Sequence, residues 1–114
     1  MKLRELIRKG ETAVAVMTRG DYLDLDYSKS CGRTGIWVVD RTRVENTNKV
    51  VVYLRSGGRN NILMGDIMNV FPDATEPDRF WIHFNNLVNK GYTPFNWSEF
   101  AETGSRPVRY WPPA

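Results

Sequence analysis

The chain has 114 residues, 41% hydrophobic and 25% charged, with 16 Lys and Arg against 13 Asp and Glu for a formal charge of +3. That is enough chain for one core, so a single β-rich domain spanning 1–114 is expected, and the ordinary composition excludes a low-complexity or fibrous chain. One cysteine, Cys31, excludes an intrachain disulfide and a thiolate metal cluster, and no apolar run approaches a membrane span, so a cytoplasmic, membrane-free protein without cofactor or metal is expected.

The opening "MKLRELIRKG" lacks the apolar stretch of a signal peptide. Leu3, Leu6 and Ile7 fall at i, i+3 and i+4, and Gly10 stands where a helix ends, which predicts a short amphipathic helix. "TAVAVMT" reads as a buried strand. "YLDLDY" alternates, with Leu23 and Leu25 on one side and Asp24 and Asp26 on the other, as a half-buried strand does.

"IWVVDRTRVE" and "KVVVYLR" read as two strands joined by the three-residue loop Asn46-Thr47-Asn48, with Glu45 facing Lys49. In that register Ile36, Val38, Val44, Val50, Val52 and Leu54 share one face. Asp40 and Thr42 fall on that face too, while Trp37, Val39, Arg41, Arg43, Val51, Tyr53 and Arg55 share the other, and a slip of one residue would mix the two. "RSGGRNN" then leads into "ILMGDIMNVF", where Gly65-Asp66 predicts a bulge. "RFWIHFNNL" returns with Phe80, Ile82 and Phe84 inward. "NWSEFAETG" predicts a second helix capped by Asn96, with Trp97, Phe100 and Ala101 on its apolar side, and "RPVRYW" adds a last strand. Six or seven strands and two short helices make a mainly β (α+β) fold, with one largely antiparallel sheet curled into a barrel or half-barrel.

Residues 28–59 hold seven Lys or Arg against two acids. On the predicted hairpin Arg41, Arg43, Lys49 and Arg55 lie beside Trp37 and Tyr53, offering cations to phosphates and aromatic planes to bases. If the strands alternate in direction, "CGRTG" and "SGGRNN" become neighbouring loops. Arg33, Arg55 and Arg59 would then gather with exposed glycine N–H groups as an anion nest, and Lys90 would join them. Ordinary turn chemistry explains "SGGRNN" as well, and its spacing fits neither a P-loop nor a dinucleotide fingerprint.

Enzyme signals are thin. Cys31 and the lone His83 suit a nucleophile and base by type alone, and Asp24 with Asp26 could hold a divalent cation only with a third carboxylate; packing and solvated strand faces explain all four more simply. The sequence therefore points to a non-enzymatic binding module that contacts nucleic-acid backbone through a basic hairpin and a Gly/Arg loop end. Two alternatives stand beside it. One is a protein-interaction or weakly homodimerising domain using exposed aromatics such as Trp37, Tyr110 and Trp111, and the other is a small-ligand pocket in the barrel mouth walled by Trp81 or Trp97.

Overall fold

The computed structural model describes residues 1–102 and 104–113. In chain order the elements are α1 (Leu3–Leu6), β1 (Ala13–Thr18), β2 (Leu23–Asp26), β3 (Cys31–Trp37), α2 (Arg41–Glu45), β4 (Lys49–Ser56), β5 (Arg59–Pro72), β6 (Phe80–Tyr92), α3 (Trp97–Ala101) and β7 (Val108–Trp111). The strands form one sheet in the order β2-β3-β6-β5-β4-β1-β7. It is mixed, because β1 runs parallel to β4 while the other pairings are antiparallel.

β2 and β7 remain edges, so the sheet does not close into a barrel. It is nevertheless curved: Leu23 and Leu25 from one edge and Val108 and Tyr110 from the other pack against the same cluster of Val14, Val16, Val50, Val52, Leu63 and Ile82. The opposite face carries a second cluster, in which Ala15, Val51, Tyr53 and Ile62 are covered by Leu3 of α1 and by Trp97, Phe100 and Ala101 of α3. Burial on both faces explains the unbroken apolar runs of β1 and β4, where Val14, Ala15, Val16, Val50 and Val51 are all fully buried. Each such valine contributes on the order of 1.5–3 kcal/mol.

The largest departure from the sequence reading lies between Val38 and Asn48. The expected strand over 36–44 ends at Trp37, and Arg41–Glu45 is helical. Trp37 pairs with Phe80, the first residue of β6, so the chain beyond it has no strand to bond. The Asp40 side chain accepts from Arg43 N–H at 3.1 Å and caps the new helix, and Asn46 N–H closes it on Thr42 C=O. Asn46-Thr47-Asn48 is thus the exit of α2 and no hairpin loop. β3 and β4 are not neighbours either, since β6 and β5 lie between them. Val44 alone of the helix is buried, inserted into the inner cluster.

α1 is also shorter than expected. Ile7 is already extended, and Leu3, Leu6 and Ile7 reach the outer cluster from a single turn. Other expectations are met: the β5 register shifts between Met64 and Asp66, Ile82 and Phe84 face inward from β6, and Asn96 caps α3 by accepting from Glu99 N–H at 2.9 Å. Among the described residues no helix is long and apolar enough to cross a membrane.

Candidate binding surfaces

Three regions of the surface are set apart by the fold. The first is the basic end. Ser56 pairs with Arg59 across a two-residue turn, and Gly57 and Gly58 both have positive φ, +59° and +75°, as a type I′ hairpin requires. "SGGR" is therefore a turn, and it presents Arg55 and Arg59 to solvent on either side. The Arg59 guanidinium lies 4.1 Å from the Tyr92 ring centroid. That of Arg43, on α2, lies 3.8 Å from the Tyr110 ring centroid, but Tyr110 pairs with Val14 and Val14 with Val50, so Arg43 stands at the other end of β4 from this turn. A stacked guanidinium keeps the N–H donors of its plane free for a planar or tetrahedral anion.

Arg33 does not join this end. "CGRTG" is part of β3, where Arg33 pairs with His83, which in turn pairs with Asn69, ten residues along β5 from Arg59. At about 3.3 Å per residue that separation is roughly 30 Å along the strand, so the proposed nest of three arginines does not form. Tyr53 is also lost as a stacking partner: it is 1% exposed, and its hydroxyl donates to Phe95 C=O at 2.7 Å. Trp37 is half-buried against the inner cluster and donates Nε1–H to Thr34 Oγ1 at 3.1 Å. Tyr110 and Trp111, expected as exposed aromatics, pack against the inner and outer clusters respectively.

The second region lies where α1 meets the sheet. Lys49 bridges Asp66 and Glu11 at the margin of a cavity of about 230 Å³ that also takes in Arg8, Asn86 and Lys90. Hydrogen bonds from Asn86 and Lys49 hold the Asp66 carboxyl below the ordinary carboxylate range. The expected loop around Lys90 is absent because β6 runs on to Tyr92, yet Lys49 and Lys90 do line one cavity.

The third region was not legible beforehand. The two helices cover the outer face only over β1, β4 and the first part of β5, leaving it bare over β2, β3 and the distal halves of β5 and β6. Trp81 is the centre of this bare face. Gly35 has no side chain to hold it off; a Cβ there would stand 2.6 Å from the indole. Its Nε1–H donates to Asp73 Oδ1 at 2.9 Å, which with backbone hydrogen bonds keeps that carboxyl below its usual range. Arg33 stacks over the indole at 4.3 Å while its Nε donates to Asp24 at 2.7 Å, and Tyr22 meets the indole edge-on. Next to it His83 and Phe71 make a T-shaped pair at 4.9 Å.

Beside these rings is an apolar trough of about 320 Å³, walled by Asp24, Asp26, Cys31, Arg33, Met68 and His83. Cys31 and His83 thus share one hollow, although no hydrogen bond joins them; the imidazole packs on Phe71 instead. Burial, then the nearby Arg33 charge, lowers the His83 pKa. Asp24 is taken by Arg33, and Asp26 accepts from Ser28 Oγ and Lys29 N–H. Among the described residues no group of three His, Cys, Asp or Glu is placed to hold a metal. The alternation of Trp81 and His83 on one strand signalled an outward face, but only the pairing with β3 shows that Arg33 and Cys31 share it.

Charge separates along the same line. Residues 19–33 and 66–83, which include the bare face, carry seven of the thirteen acids and four of the sixteen Lys and Arg. The remainder carries six acids and twelve Lys and Arg. No protein-family model matches the chain, no curated protein matches its sequence and no solved structure matches it.

Proposed function

We propose that the chain is a non-enzymatic binding module that holds the phosphate backbone of nucleic acid on its basic half. The observation that carries the reading is the set of exposed arginines, Arg43, Arg55 and Arg59, that meet no carboxylate among the described residues. Four of the six acids of this half are engaged elsewhere: Glu11 with Lys49, Glu45 with Arg41, Glu102 with Lys2 and Arg4, and Asp40 as the α2 cap. Positive charge is left over where it is accessible, which favours phosphate contact with release of counterions. Arg41 contributes less than Arg43 because Glu45 shares its charge.

The stacking role assigned to Trp37 and Tyr53 has no support in their burial, so the reading rests on backbone contact and expects little base preference. The test is fluorescence anisotropy of a labelled mixed-sequence oligonucleotide, single-stranded and duplex, titrated with protein at low salt. Saturable binding that weakens on replacing Arg43, Arg55 and Arg59 by Ala supports the reading. Absence of binding at low salt removes it.

A further inference from the structure

The bare half of the outer sheet face is a second surface of opposite character. Met68 is 55% exposed, Tyr22 59% and Phe71 45%, and all three lie together with Trp81 on one side of the sheet. Scattered exposed apolar residues need no explanation, but a contiguous patch around a formed hollow does. The hollow is lined by Leu25, Gly32 and Phe84 together with Cys31, Met68 and His83. Its apolar volume suits one large aliphatic or aromatic side chain.

The charge around it selects the occupant. Asp24 and Asp26 stand at the hollow's rim, Asp24 shared with Arg33 and Asp26 free of any cationic side chain among the described residues, and Asp73, Glu76 and Asp78 follow along the β5–β6 connection, Glu76 shared with Arg79. The segments 19–33 and 66–83 together sum to −3, whereas the rest of the chain sums to +6. A nucleic acid would be repelled here, and an apolar segment flanked by Lys or Arg would be attracted. We infer that this face docks a cationic segment of a partner protein, one large apolar side chain of which enters the hollow between Cys31, Met68 and His83 while its neighbouring cations face Asp24 and Asp26. This surface is separate from the basic half, so one chain would join a phosphate backbone on one side to a basic partner on the other.

Cys31 makes the inference measurable, because an occupant of the hollow shields its thiol. Three blocked synthetic hexapeptides serve as probes: a Phe-Leu pair between two lysines on each side, the same with glutamates, and the lysine form with glycines in place of Phe-Leu. The rate of Cys31 alkylation by iodoacetamide is followed in the full chain as each is added, with backbone amide shifts mapping the contact. The lysine Phe-Leu peptide is expected to slow alkylation at saturation, to shift residues of β2, β3 and the distal part of β6, and to weaken with salt; the other two are expected to do neither. Met68→Lys, at an exposed site, is expected to abolish protection with the melting temperature unchanged, and Asp24→Asn with Asp26→Asn to weaken it by about fivefold. Equal protection by the glutamate peptide, or none by any peptide, overturns the inference, and these comparisons need no variant to fold. Protection by an oligonucleotide would make the face a stacking surface, and protection that rises with protein concentration alone would assign it to a second copy; either result also overturns it. Loss of oligonucleotide binding at the basic half leaves this experiment untouched.

Discussion

The Arg43 guanidinium lies 3.8 Å from the centre of the Tyr110 ring, and the Tyr110 hydroxyl accepts from Asp40 N–H at 3.3 Å. A helix in the middle of the chain and the last strand thus hold each other. β7 also pairs with β1 from Val108 to Trp111, so the aromatic end of the chain is part of the sheet. Truncation after Pro107 is expected to lower the melting temperature sharply. Tyr110→Phe keeps the ring and loses one hydrogen bond, for a cost of about 1 kcal/mol in denaturant unfolding.

Asp40→Ala removes the side-chain N-cap of α2 and is expected to cost about 1 kcal/mol. Val44→Ala opens a hole in the inner cluster and is expected to cost about 2 kcal/mol. If 36–44 were a strand, the first substitution would be silent, so urea unfolding of the pair checks the helix directly.

That helix marks the limit of what the sequence made legible. β1, β2, β4, β5, β6, α3 and β7 could be read because alternation, Gly turns and the Asn96 cap act locally. "DRTRVEN" carries alternation too, and Asp40 was not read there as a helix cap. What decides it is the point at which β6 ceases to offer a partner, a fact about residue 80 that residue 41 does not reveal. The same holds for function. Arg55 and Arg59 were placed together correctly by their turn, but Arg33 was misplaced because its strand joins the far half of the long β5–β6 hairpin, and the Trp81 cluster depends on three strands brought together by that pairing.

Gly35→Ala places a methyl group against the Trp81 ring at a position with no room for it. The indole must lift, breaking its bond to Asp73 and its stack under Arg33. A loss of about 1–3 kcal/mol is expected, with a red shift in tryptophan fluorescence as the ring enters water. An unchanged spectrum would contradict the close fit described for the bare face.

Stability should also respond to pH through His83. Burial, and then the charge of Arg33, places its native pKa below the ordinary 6.5, so the unfolded chain binds the proton more readily than the native one. The contribution is complete above pH 6.5 and is lost as pH falls from there through the lowered native value. The melting temperature of the wild type is therefore expected to fall between about pH 7.5 and about pH 5.5, and that of His83→Gln to fall less. Asp66 and Asp73 act in a separate window: their lowered values add stability above the ordinary 3.8 that is lost only as pH falls below it.

The central claim is that unpaired arginines on the basic half hold a phosphate backbone, and the salt dependence of duplex binding tests it most directly. Each phosphate contact adds about 0.9 to the slope of log K against log salt, so Arg43→Ala, Arg55→Ala and Arg59→Ala combined are expected to make the slope shallower by about two to three. Lys29→Ala, on the acidic half, is expected to leave it unchanged. Equal slopes for the wild type and the triple variant, or no binding at low salt, would contradict the account.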